Sequence, residues 1–295
     1  MSSRAGADQG GGAAGGSAGG SQGGTPDAGA GGEAEGGSAG AAASGPIKAV
    51  MGQLCPVEST IGVVQLGGFP TPYVQVTLYD RTDPWISEAE LSTASCEFHH
   101  YEAGVCAACK GGEVCSPEST CVPEPRTVKD ATLRVRTGAT EREYMADATL
   151  GGISAMVDIG NADSSYAMTL SWSDVEVQLD AMAVASASLT NAAVSIEGDY
   201  AAPGALDATW QPSQSGAFVR SRIPINHHAG GPTFTQCAVP ESAGAFHADA
   251  AMINPLAVRT GLEFQGLQHE RVAAAQTPDG CVEFRFGEQI LIFPD

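Results

Sequence analysis

The chain has 295 residues and a formal net charge of −20, with 14 Lys and Arg against 34 Asp and Glu. That sign repels nucleic acid and anionic lipid, so neither is expected as a partner. No apolar run is long enough to cross a bilayer as a helix, so no transmembrane segment is expected.

Residues 1–45 contain 17 Gly and 12 Ala, and between Ser2 and Gly45 there is no Val, Ile, Leu, Met, Phe, Trp, Tyr or Cys. Such a composition cannot bury enough apolar surface to offset the entropy of ordering it, so 1–45 reads as a disordered tether. As a random coil it would span on the order of 35–40 Å. Its charged residues are Asp8, Asp27, Glu33 and Glu35 against Arg4, which leaves most of the acidity in 46–295. The start, MSSRAGADQGGG, has one Arg but no apolar core behind it, so it is not a secretory signal.

Residues 46–95 form an N-terminal β-strand region. Ile47 to Gln53 predicts a first strand, closed by Cys55-Pro56. Gln53-Leu54-Cys55 is not a lipid-attachment site, because a small residue should precede the cysteine and a long apolar run should precede both. Gly62 to Leu66 and Tyr73 to Tyr79 follow, split by Gly67-Gly68-Phe69-Pro70. The second run alternates Val74, Val76 and Leu78 with Gln75, Thr77 and Tyr79, the period of a half-buried strand.

Residues 96–125 hold Cys96, Cys106, Cys109, Cys115 and Cys121, five of the eight cysteines. Gly, Pro and small polar residues separate them, so covalent links or a metal must hold this stretch together. Cys106-x2-Cys109 is a zinc half-site, but no second pair of matching spacing follows, and disulfides are the expectation. Spacing alone cannot fix the connectivity of eight cysteines. Locality suggests an interlaced knot of Cys106, Cys109, Cys115 and Cys121, with Cys55 joined to Cys96 and Cys237 to Cys281. Closely spaced cysteines in even number also imply an oxidising compartment, so the expectation is that an export signal lies upstream of Met1.

Residues 126–295 read as a β-sandwich domain. Ala131 to Thr137 places Leu133 and Val135 on one face and Arg134 and Arg136 on the other. Tyr166 to Trp172 and Val175 to Leu179 alternate in the same way. Strands are further predicted at Ala181–Leu189, Val194–Ile196, Leu206–Trp210, Phe218–Ile223, Leu262–Leu267, Val282–Phe286 and Gln289–Phe293, with a turn at Thr277-Pro278-Asp279-Gly280. Many short strands and no convincing amphipathic helix predict an all-β, antiparallel immunoglobulin- or fibronectin-like sandwich, carrying a small disulfide-rich insert.

The Gly/Ala/Ser tether, the run GVCAACKGGEVCSPESTCVPEP, Leu206-Asp-Ala-Thr-Trp210-Gln-Pro212 and the segment from Gln236-Cys237 to Phe246 together resemble secreted or lipid-anchored envelope proteins of unknown function from Gram-negative bacteria. The resemblance implies an extracytoplasmic location and an immunoglobulin- or fibronectin-like fold, and it carries no catalytic residue across.

His99, His100, His227, His228, His247 and His269 invite a metal reading, but neighbours on a strand point to opposite faces and offer one ligand each. Asp158, Asn161 and Asp163 could touch calcium, yet they lack the spacing of a calcium loop and its closing Glu. Trp85, Trp172 and Trp210 could stack a sugar, although the last two sit in alternating strands and suit a core better. Neither Gly-x-Ser-x-Gly, Ser-x-x-Lys nor His-Glu-x-x-His occurs. No catalytic, cofactor-binding or metal-binding residue is therefore singled out. The expected function is a tethered, disulfide-stapled, non-enzymatic envelope protein with a structural, adhesive or interaction role and a protein or glycan partner at the cell surface. The competing expectation is a carbohydrate- or divalent-cation-binding module using loops of the sandwich.

Overall fold

The computed structural model of the chain describes residues 45–68, 72–158, 160, 164–185, 188–199, 201–225, 232–257 and 262–292. Residues 1–44, Phe69-Pro70, Asn161, Asp163, His227 and His228 lie outside the described residues.

In chain order the strands are β1 (Ile47–Lys48), β2 (Val50–Met51), β3 (Thr60–Gly67), β4 (Tyr73–Leu78), β5 (Leu91–Ser92), β6 (Cys96–His99), β7 (Glu113–Cys115), β8 (Cys121–Pro123), β9 (Thr132–Thr137) and β10 (Thr140–Met145). They continue as β11 (Ile153–Met156), β12 (Ser165–Trp172), β13 (Val175–Ala183), β14 (Ala193–Asp199), β15 (Ala202–Thr209), β16 (Phe218–Pro224), β17 (Phe234–Pro240), β18 (Ala245–Ala248), β19 (Leu267–Thr277) and β20 (Gly280–Ile290). One turn of α-helix, α1 (Ala250–Ile253), follows β18.

A long sheet has the order β11-β4-β3-β20-β19-β16-β17-β6-β5, with β2 beside the far end of β19. A five-stranded sheet runs β1-β13-β12-β9-β10, a three-stranded sheet β14-β15-β18, and β7 and β8 form a hairpin. The architecture follows from period-two alternation in the long strands. In β20, Val282, Phe284 and Phe286 are buried on one face while Glu283 and Arg285 point to the other; in β16, Val219 and Ile223 oppose Arg220 and Arg222.

The apolar face of the long sheet serves two cores. Val64, Leu66, Val76, Phe284 and Phe286 pack with Leu133, Leu170, Trp172, Val177 and Leu179 of the five-stranded sheet. Further along the same face, Val219, Ile223, Val239, Phe98 and Leu267 pack with Leu206, Trp210, Phe246 and the α1 residues Met252 and Ile253. Each fully buried large side chain contributes about 1.5–3 kcal/mol relative to leaving it in water. The fold is thus an all-β sandwich in which two smaller sheets share one long partner.

Among the described residues the strands pair antiparallel, as expected, except that β1 runs parallel to β13 and β3 to β20. Because β3 lies beside β20, residues from 46–95 and from 126–295 belong to one folded unit, and Gly45–Asp295 forms a single compact body. Ile47 to Gln53 is two short pieces: Ile47–Lys48 joins the five-stranded sheet and Val50–Met51 the long sheet. Val282–Phe286 and Gln289 onward form one continuous strand, β20. The strand expected at Leu262–Leu267 does not form, and β19 begins only where it was expected to end; the one expected to Leu189 stops at Ala183. Thr277 to Gly280 is the tight turn between β19 and β20, and the Thr277 hydroxyl donates to the Gly280 carbonyl at 2.8 Å.

All eight cysteines are paired. Cys106–Cys115 and Cys109–Cys121 interlace across the β7–β8 hairpin. The other two bonds correct the expected pairing: Cys55 joins Cys281 and Cys96 joins Cys237, not Cys55 to Cys96 and Cys237 to Cys281. The reason is the strand register. Cys96 on β6 lies directly opposite Cys237 on β17, and the segment before β3 carries Cys55 to the start of β20. These bonds span 226 and 141 residues, and each stabilises by about 5 kcal/mol through the unfolded chain.

Candidate functional site

On the second face of the long sheet, β16, β19 and β20 bring several charged side chains together, some of them buried. Arg220 is 3% exposed and donates through one terminal nitrogen to Glu270 at 2.8 Å and to Glu283 at 2.6 Å. The other oxygen of Glu283 accepts the Cys55 backbone N–H at 2.9 Å, and Arg285 Nε donates to Glu283 at 2.5 Å. A chain Glu270–Arg220–Glu283–Arg285 therefore crosses β19, β16 and β20 beneath the Cys55–Cys281 disulfide. Burial opposes ionisation of Glu283, but the Arg285 and Arg220 guanidiniums outweigh it and hold the carboxyl below its ordinary range.

Next to this network a cleft of about 320 Å³ opens. Arg220, Arg222 and Arg285 form its floor with Gln236; Val57, Val63, Tyr79, Trp85, Ile86 and Pro125 supply apolar wall; Asp83 and Glu124 stand at its sides. The wall is fastened from two directions. Trp85 Nε1 donates to the Cys115 carbonyl at 3.1 Å, tying the stretch after β4 to the disulfide knot. Asp80 accepts the Arg126 backbone N–H at 2.9 Å and is gripped by the Arg81 guanidinium at 3.0 and 3.1 Å.

Arg222 differs from its neighbours. Its guanidinium lies 3.8 Å over the Phe234 ring, and among the described residues no carboxylate lies within ion-pair distance of it. Although Arg222 is exposed at its surface, partial desolvation of its guanidinium in the cleft and the adjacent Arg285 and Arg220 hold it below the ordinary arginine value, while Asp83 opposes them. The cleft thus offers a forked donor array, an aromatic wall and carboxylate acceptors.

No protein-family model matches the chain, and no curated protein does. Among solved structures it is similar to the crystal structure of chicken CNTN1 FN1-FN3 domains, at 9% identity over 83% of this chain and 68% of that one, with a TM-score of 0.22. The fold assignment rests on the sheets themselves.

Among the described residues, His99, His100, His247 and His269 each have partners of their own. His99 is buried, stacks on Phe234 with 4.8 Å between ring centres, and places Nδ1 2.9 Å from the Ser87 carbonyl; His100 faces Glu90 at 3.2 Å. His247 lies between Asp207 at 2.7 Å and Asp249 at 3.1 Å on the surface, and His269 is buried 3.3 Å from Glu241. Asp158 pairs with Arg142 at 3.2 Å. The sulfurs of Cys106, Cys109 and Cys121 lie close enough for a shared ion, but all three are bonded in disulfides, so no thiolate faces a metal. Trp172 and Trp210 are core residues, and Trp210 Nε1 donates to the Glu241 carbonyl at 2.7 Å.

Sequence reading passed over Arg220, Arg222, Glu270, Glu283 and Arg285. A signal was present: in Phe218–Ile223 and Val282–Phe286 the polar alternates are charged, in a chain with few cations.

Proposed function

We propose that the protein is an extracytoplasmic, non-enzymatic interaction module of a cell envelope, whose Gly/Ala-rich leading segment serves as a tether. The observation that carries this reading is the pairing of every cysteine, two of the bonds closing loops of 226 and 141 residues. Bonds of this kind persist where thiols are not continuously reduced. The all-β sandwich and the paired sulfurs support a protein built to persist and to present surfaces, and the resemblance of the cysteine-rich run to envelope proteins supports the same place. The test is fractionation of source cells followed by thiol alkylation without reductant. The expected result is an extracytoplasmic chain with no alkylated cysteine; a cytosolic chain alkylated at its cysteines would reverse the proposal.

A further inference from the structure

We propose that the arginine-floored cleft binds a sugar bearing a single carboxylate, a hexuronate. The inference does not depend on where the protein resides, since it concerns the purified chain and one cavity. Three features of the cleft select this chemistry together.

The first is donor supply. Arg220 spends one terminal nitrogen on both Glu270 and Glu283, and Arg285 spends Nε on Glu283. Among the described residues the Arg222 guanidinium, by contrast, forms no ion pair; it has the Phe234 ring and the more distant charge of Asp83, and it lines the cleft beside two other cations. A guanidinium without a carboxylate, crowded by like charge, is stabilised by an incoming oxyanion, and its planar fork suits a carboxylate bidentately.

The second is charge selection. Asp83 and Glu124 also line the cleft. They repel a dianion such as phosphate or sulfate more strongly than a monoanion, and they accept hydrogen bonds from hydroxyl groups. A ligand with one negative charge and several hydroxyls satisfies both sets of residues, and Thr60 and Gln236 add further polar partners.

The third is shape. The volume of about 320 Å³ lies at the small-molecule end of binding cavities. The Trp85 ring, pinned through its indole N–H to the Cys115 carbonyl, supplies with Tyr79 and Pro125 the apolar surface on which a pyranose face packs. The knot thus has a part in the site, because it fixes the tryptophan.

The test is isothermal titration of the purified full chain with sodium D-glucuronate, with the neutral methyl ester of glucuronic acid, and with inorganic phosphate. Glucuronate is expected to saturate at millimolar concentration or below, with the ester at least about tenfold weaker, the loss of one charge-assisted interaction. Arg222→Gln is expected to bring glucuronate down to the level of the ester without changing ester binding, and Arg222→Lys to recover only part. Equal affinity for acid and ester, phosphate binding as tight as glucuronate, or no saturation by glucuronate would each overturn the proposal. The comparison of acid with ester uses the wild-type chain, so it decides the matter even if a variant fails to fold.

Discussion

Glu283 shows how one residue can serve stability and site together. It is 1% exposed, takes two guanidiniums and the Cys55 N–H, and its native carboxyl is held below the ordinary value of 4.5. A carboxyl lowered in the folded state binds protons more readily when unfolded. Its stabilisation is therefore fully present above about pH 4.5 and is lost as pH falls through the lower native value. Glu283→Gln removes one anion from between two buried or half-buried cations, at an expected cost of about 3 kcal/mol at neutral pH. Denaturant melts of both proteins across the acid range check this. The gap between them should close as pH falls, and a gap of constant size would show that Glu283 is not the titrating group. Arg222 carries the opposite arrangement, a cation supplied with an aromatic face and no carboxylate among the described residues, so its substitution should weaken a ligand more than the fold.

At the level of elements, the disulfides fall into two kinds. Cys55–Cys281 and Cys96–Cys237 cross-link strands of the sandwich, whereas Cys106–Cys115 and Cys109–Cys121 close loops of 9 and 12 residues inside the knot. The double substitution Cys55→Ser with Cys281→Ser should lower global stability by about 5 kcal/mol, because it frees a long loop in the unfolded chain. Cys106→Ser with Cys115→Ser should leave the main melt nearly unchanged but open 100–125 to protease, since few apolar contacts secure that stretch. Calorimetry and limited digestion separate the two, and a large fall in the main transition for the knot variant would contradict this division. The strands themselves were legible wherever one face is apolar: Leu133 and Val135, Tyr166 to Trp172 and Val177 to Leu179 all announced their buried side. What sequence could not supply was which strand lies beside which. Locality favoured Cys55 with Cys96, while the fold places Cys96 opposite Cys237 through β6 and β17. β17 was not delimited because Thr235 puts a hydroxyl at an inward position beside Cys237, although it is buried and donates to the Met252 carbonyl at 2.6 Å. The cleft was illegible for the same reason, since its floor comes from β16 and β20 and its wall from the stretch after β4, brought together only by pairing across the sheet.

Over the whole molecule, the decisive feature is that two hydrophobic cores lie on one face of one sheet. β19 and β20 are 11 residues each and run past both: Ala273, Ala275, Val282, Phe284 and Phe286 face the first core, and Leu267 faces the second. Between them the same face carries His269, buried beside Glu241, so the cores are separated by a polar seam rather than merged. The seam alone would allow each sandwich to unfold separately. The shared strands argue the other way, because losing either core strips one side from the hairpin that supports the other, and both long-range disulfides bind into that same sheet. Cooperativity through a continuous hydrogen-bonded sheet should prevail, giving one thermal transition for Gly45–Asp295. Leu170→Ala in the first core and Leu206→Ala in the second should each cost about 2–5 kcal/mol and shift that single transition, with their effects adding in the double variant. Calorimetry on the three variants decides between the two pictures. If Leu206→Ala instead splits the peak and leaves an upper transition at the wild-type temperature, the sandwiches unfold separately, and the shared sheet does not couple them.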